Sequence, residues 1–266
     1  MLALPLLAAY VALGLVVGFV AGLLGVGGGL IIVPVLIVML HSQALGSGLE
    51  TQLALGTSLA SILFTSLSSV RAHHRHGAVD WALVRRITPG IVLGTGAGAL
   101  LAARVPGSVL AIFFVVFLFY AAIQMWFDFR PAPHRGLPGY PGTTLAGGVI
   151  GAVSSWVGIG GGTLSVPFQL WCNVPLHRAI GTSAAIGLPI AAAGAVGYAI
   201  SGPVAASLPG TFGYVHLTAL ACIAIGSVTT APLGARSAHA LPVGKLKRIF
   251  SLLLLAIAIR MAASFY

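Results

Sequence analysis

The chain has 266 residues, of which 58% are hydrophobic and only 6% charged, with a mean hydropathy of +1.07. A soluble domain carries about 25% charged residues, so these values exclude a water-soluble fold and define an integral membrane protein. The net charge of +10 comes from thirteen Lys and Arg scattered between apolar segments; this excludes a basic nucleic-acid-binding domain and reads as topology signals in short loops.

In chain order the apolar runs of the first half cover 5–24, 29–40, 52–70, 83–103 and 107–127. Those of the second half cover 143–157, 163–173, 179–200, 213–235 and 247–265. A spanning helix needs about 20 apolar residues, which predicts an all-α polytopic membrane protein with short loops. Met1 to Pro5 carry no basic segment or cleavage site, so the N-terminus reads as the start of a membrane helix and not as a signal peptide. The first run is broken by Gly25-Val26-Gly27-Gly28-Gly29, followed by Val33-Pro34. That pattern returns 133 residues later as Gly158-Ile159-Gly160-Gly161-Gly162 followed by Val166-Pro167. In lipid a glycine interruption leaves backbone groups without partners, and it survives only where it is buried in protein or lines a polar cavity. The runs 29–40 and 163–173 are too short to cross, so each reads as a half-helix starting at its glycines, on the returning arm of a partly re-entrant hairpin.

The duplication continues beyond the glycines. Gly14 and Gly18 match Gly147 and Gly151 at the same offset of 133, and Gly56-Thr57-Ser58 matches Gly181-Thr182-Ser183 at 125. Gly77, Gly90, Gly98 and Pro106 match Gly213, Gly226, Gly234 and Pro242 at 136. The chain therefore divides into a first repeat over 1–127, a cytoplasmic linker over 128–142 and a second repeat over 143–266. Charge predicts that the repeats are inverted. With both termini outside, Arg71, Arg75, Arg85, Arg86, Arg130, Arg135, Arg178, Arg236, Lys245, Lys247 and Arg248 face the cytoplasm, and only Arg104 and Arg260 do not. Basic residues accumulate on that side, so the loops 71–86, 128–135 and 236–248 are expected at the cytoplasmic face of a prokaryotic plasma (inner) membrane.

A helix that begins inside the membrane presents unpaired amide N–H groups and the positive end of its dipole. Glycines there let the backbone approach a ligand and wrap N–H groups around oxyanion oxygens. Gly27, Gly28, Gly29, Gly160, Gly161 and Gly162 are therefore candidates to line a small-anion site. Thr57, Ser58, Thr182 and Ser183, with Ser61 and Thr65 further along the same run, either donate to such an anion or bond carbonyls of their own helix. Thr163, Ser154 and Ser155 flank the second glycine block, where the first has Leu30, Ala21 and Gly22, so the second tip is expected to be the more polar. Gly14, Gly18, Gly147 and Gly151 read as packing surfaces. Glu50, Asp80 and Asp128 are the only acids and lie at or near the ends of runs, which leaves no intramembrane carboxylate relay. No nucleotide-binding motif, metal-ligand spacing or catalytic cluster stands out, so neither a cofactor nor an enzyme is indicated. Cys172 and Cys222 read as packing residues. His73, His74 and His76 belong to the basic loop and reinforce orientation or bind lipid phosphate. His216 aligns with Asp80 near a helix start and is expected to cap it.

The doubled glycine block with its Val-Pro, the Gly-Thr-Ser after each copy, and Gly77 to Asp80 leading into Pro89-Gly90 and Gly94 to Gly98 resemble the TauE/SafE family of membrane permeases, also called TSUP. The resemblance covers nearly the whole chain. It implies transport of a small sulfur-containing oxyanion such as sulfite, sulfoacetate or a related organosulfonate, often outward. His216-Leu217 departs from the pattern of Val79-Asp80-Trp81, which leaves the equivalence of those two loops open. Alternatives are a passive anion channel, a carrier of another small anion, or a membrane-embedded enzyme. Apolar helix faces permit a homodimer.

Overall fold

With no water to satisfy it, backbone in lipid must bond to itself, and an apolar run becomes a helix. The computed structural model describes residues 4–42, 48–127, 136–202, 210–240 and 243–263. Among these the runs form α1 (Leu4–Leu24), α2 (Gly29–Ser42), α3 (Glu50–Arg75), α4 (Trp81–Ala102) and α5 (Gly107–Phe127). The second half forms α6 (Tyr140–Val157), α7 (Gly162–Trp171), α8 (Leu176–Ser201), α9 (Leu217–Ala240) and α10 (Val243–Ala263). Five of these helices, α1, α3, α5, α8 and α9, are long and apolar enough to cross a membrane. The 14-residue α2 and 10-residue α7 reach only about 21 and 15 Å at 1.5 Å per residue, well short of the roughly 30 Å hydrocarbon core. The charged positions Asp128, Arg130 and Arg135, most of the expected linker, Pro242 and the side chain of Lys245 lie outside the described residues.

One small departure from helix lies at 211–216, where β1 (Thr211–Phe212) pairs antiparallel with β2 (Val215–His216). Gly210 and Gly213, at φ +79° and +55°, turn the chain there. The helix expected from 213 consequently starts only at Leu217.

Packing is reciprocal between the halves: α1 lies along α9 as α6 lies along α4, α3 packs on α8, and α5 packs on α10. Small residues make the close seams. Gly147 and Gly151 of α6 face the carbonyls of Ile87 and Ile91, where an added Cβ would lie 2.5 and 2.6 Å away. Gly14 and Gly18 of α1 face those of Ile223 and Ser227 just as closely. The four expected packing glycines are thus packing glycines, and their partners are themselves related by the offset of 136.

The long α3 shows how charge is distributed. Near its start Gln52 Nε2 donates to the Val105 carbonyl at 3.0 Å, next to Arg104. Near its end Arg71 and Arg75 share a cavity with Arg236, and the neighbouring Asp80 lies 3.8 Å from Arg178. Arg260 stands against Val38 and Met39 on the later turns of α2, the end from which the chain enters α3. Arg104 and Arg260 therefore occupy one end of the bundle, and Arg71, Arg75, Arg178 and Arg236 the other.

The seams set a stability test. A Cβ at Gly90 would overlap the Thr144 carbonyl, whereas Gly96 faces open space. Gly90→Leu should destabilise the detergent-solubilised protein by about 3 kcal/mol, and Gly96→Leu should change it by no more than about 0.5 kcal/mol, read from thermal unfolding.

Candidate functional site

The two glycine loops are built alike. Gly25 and Gly158 end α1 and α6 in the left-handed conformation, both at φ +67°, and their amides donate to Ala21 and Ser154 carbonyls. Gly28 and Gly161, at φ +82° and +77°, open α2 and α7. The Gly28 carbonyl accepts from Ile31 and Ile32 at 3.1 and 3.2 Å, and that of Gly161 from Leu164 and Ser165 at 3.1 and 2.7 Å. Only glycine takes up these backbone angles without strain.

The loops cross antiparallel and in contact. Gly25 meets Gly162, Gly27 meets Gly160, and Gly29 meets Gly158. A Cβ on Gly27 would lie 2.8 Å from the Gly160 Cα, and one on Gly29 or Gly162 would overlap the carbonyl of its opposite. Beside the central pair stands Ile62, 3.2 to 3.4 Å from either added Cβ, and a Cβ added at Gly187 would lie 3.1 Å from the Gly160 carbonyl oxygen. Ile62 and Gly187 lie midway along α3 and α8, each 26 residues long. The crossing therefore sits at half depth of the two longest helices.

Hydroxyls hold this frame. Ser58 Oγ donates to the Gly158 carbonyl at 2.7 Å, and Ser183 Oγ to the Gly25 carbonyl at 3.3 Å while contacting Ser165 Oγ at 2.7 Å. Thr57 Oγ1 accepts the His216 N–H, and Thr182 Oγ1 the Asp80 N–H, both at 2.9 Å. Asp80 then caps α4 through the Leu83 N–H at 3.0 Å, and His216 Nδ1 accepts the Ala219 N–H of α9 at 3.2 Å. Burial pushes the His216 imidazole below its ordinary value, which favours the neutral, accepting form. The two loops left open by the sequence are thus equivalent in both bonds. One further match is made by different residues: His73 Nε2 donates to the Gly22 carbonyl at 3.1 Å, and Tyr198 Oη to that of Ser155 at 3.0 Å.

Thr57, Ser58, Thr182, Ser183 and Ser155 are therefore engaged with backbone, Ser155 Oγ donating to Ala152 at 2.7 Å. Gly28 and Gly161 face Val17 and Ile190 side chains. Ser154, next to Gly161, and Thr163 are buried with hydroxyls that have no partner.

Two small cavities flank the crossing. The first is lined by Gly25, Gly27, Gly160, Ser183 and Gly187 together with Thr65, Ser66 and Ser69. It offers about 10 Å³ to the centre of a water molecule, room for about one water. Ser69 is 2% exposed and its hydroxyl has no partner. The second, of about 40 Å³, holds Thr163, Gly162 and Lys247. In the first cavity the polar side chains come mainly from α3, and Thr163 of the second tip stands in the second cavity. Ser66 and Ser69 went unnamed in the sequence. Their signal was an asymmetry: Thr65, Ser66 and Ser69 occupy one helical stretch, whereas the positions 125 later are Ile190, Ala191 and Gly194.

A buried hydroxyl without a partner costs about 1–3 kcal/mol. In the first cavity such hydroxyls and glycines form an uncharged lining, and in the second Gly162 and Thr163 at the start of α7 share the wall with Lys247; a donor-rich surface of this kind suits a small anion. Across the whole chain the fold is that of a polytopic helical membrane protein of the transporter class. Residues 10–261 match the family described as sulfite exporter TauE/SafE, and the chain belongs to that family. It is 35% identical over 250 residues to a probable membrane transporter protein of Haemophilus influenzae, covering 93% of this chain and 95% of the relative. It is 31% identical to the probable membrane transporter protein YunE of Bacillus subtilis, covering 73% and 78%. A probable membrane transporter protein of Methanocaldococcus jannaschii is 27% identical, covering 88% and 83%. No solved structure matches the chain.

The threonine clamps carry a prediction. Thr57→Val leaves the His216 N–H buried without an acceptor and should cost about 1–3 kcal/mol. Thr57→Ser, which keeps the oxygen, should cost less than half of that in the same thermal-unfolding measurement.

Proposed function

We propose that the chain is a secondary transporter that carries a small sulfur-containing oxyanion, such as sulfite, sulfoacetate or a related organosulfonate, by alternating access at the glycine crossing. The carrying observation is the cavity at the glycine crossing, where Gly25, Gly27 and Gly160 of the two loops meet the unpartnered Ser69 hydroxyl and no carboxylate lines the wall. Helix N-termini and neutral donors stabilise an anion without a fixed positive charge that would hold it too tightly to release. The family's description as sulfite exporters favours a sulfur oxyanion over other small anions.

Two inverted repeats, 1–127 and 143–266, are supported by the antiparallel register of the loops and by the reciprocal seams. Discontinuous helices meeting at the centre of such repeats are how many secondary transporters hold substrate. We place the end bearing Arg71, Arg75, Arg178 and Arg236 in the cytoplasm of a prokaryotic inner membrane, following the distribution of basic residues. A sulfite or sulfonate is several times the size of one water, so it enters only when α3 and α8 move away from the crossing. Contact between Gly27 and Gly160 disfavours a passive channel, which needs an open polar path.

Ser69→Ala tests the reading more cleanly than a bulky change at Gly161, where φ is +77° and a Cβ would overlap Ile190. Because the buried Ser69 hydroxyl has no partner, its loss should not destabilise the protein and should raise stability by up to about 1–3 kcal/mol. Sulfite flux in proteoliposomes should fall by at least about tenfold, the loss of one donor to a charged ligand. Unchanged flux would sink the site.

A further inference from the structure

The basic end of the bundle holds a second feature that the transport reading leaves unused. Arg71 and Arg75 of α3 and Arg236 of α9 line one cavity of about 380 Å³, with Ser68 and Pro232 at its inner wall. Three guanidiniums facing one space repel one another unless a negative group lies between them. No acid among the described residues lines this space. The chain has only three acids. Glu50 starts α3 at its opposite end, Asp80 is beside Arg178, and Asp128 lies outside the described residues. The cavity is also held in shape, because Ser68 Oγ donates to the Val228 carbonyl at 3.0 Å and so fixes α3 to α9 at its inner edge.

What adjoins the cavity narrows the ligand. On α3, Phe64 and Leu67 precede Ser68, Arg71 and Arg75 on one helical stripe, and on α9 Val228 precedes Pro232 and Arg236 at steps of four. Phe64, Leu67 and Val228 are 44%, 40% and 39% exposed. An apolar strip along the helices thus runs into a pocket of three arginines at their end. This is the outline of an amphiphile, with acyl chain along the strip and phosphate at the arginines. Arg forks suit phosphate oxygens in two-point bonds, and basic pockets between membrane helices hold acidic lipid headgroups.

We propose that the cleft between α3 and α9 is a binding site for an anionic phospholipid, its phosphate held by Arg71, Arg75 and Arg236. Native mass spectrometry of the purified full chain tests this with phosphatidylglycerol or cardiolipin against phosphatidylethanolamine. The anionic lipids should be retained and should raise the melting temperature, with at least a tenfold preference over the zwitterionic lipid. Arg236→Gln, and separately Arg71→Gln with Arg75→Gln, should each reduce that preference by at least tenfold. Arg260→Gln, at the opposite end, should leave it unchanged, and gel filtration of every variant checks folding. Inorganic phosphate and sulfate form a third arm. Equal protection by these soluble anions would overturn a lipid ligand, as would equal retention of both lipid classes or full binding by either arginine variant.

Discussion

The structure depends on one close approach, the contact of two backbones at Gly27 and Gly160 where no side chain can fit. Two chain segments that cross without Cβ atoms bring four interrupted helix ends to one place, and everything around them serves to keep those ends satisfied. Left-handed glycines close α1 and α6 and open α2 and α7. Ser58 and Ser183 reach from the opposite half of the chain to the carbonyls that the interruptions expose. Thr57 and Thr182 tie the loops before α9 and α4 to the same two helices. Each bond removes a buried polar group that would otherwise destabilise the protein in lipid.

The two halves match in these bonds, but their side-chain chemistry is lopsided. α3 carries Thr65, Ser66 and Ser69 past the crossing toward the arginine-rich end, whereas α8 carries Ile190, Ala191 and Gly194 at the corresponding places. His73 likewise stands where the other half has Tyr198. Neither cavity beside the crossing holds a carboxylate, which fits the proposed anionic cargo, and Lys247 adds a positive charge next to Gly162 and Thr163. Among the described residues no acid lines the space that Arg71, Arg75 and Arg236 share at the end of α3.

Much of the frame was legible in the sequence because its cause is local. Apolar runs became helices to within a few residues, since lipid leaves the backbone no alternative. Constant offsets between glycines marked matched close approaches, and Gly14, Gly18, Gly147 and Gly151 proved to be matched on both sides of their seams. His216 was legible as a cap because it aligned with Asp80. Partners of side chains were not legible. Thr57 and Thr182 read equally well as anion donors and as structural groups, and only the fold shows their oxygens accepting the His216 and Asp80 amides. The ribbon at 211–216 was hidden within an apolar run whose glycines could equally have lain in a helix. Ser69 was missed because a helical stripe of hydroxyls does not say which of them lacks a partner.

The central claim is that α3 and α8 must part from the glycine crossing for an anion to pass, and a reversible cross-link tests it most directly. A Cβ at Gly187 would lie 3.0 Å from Ser66 Oγ, so cysteines at both positions are close enough for a disulfide, in a chain whose Cys172 and Cys222 are replaced by alanine. Oxidation should stop sulfite flux in proteoliposomes, and reduction should restore it. Undiminished flux with the bond fully formed would contradict the account.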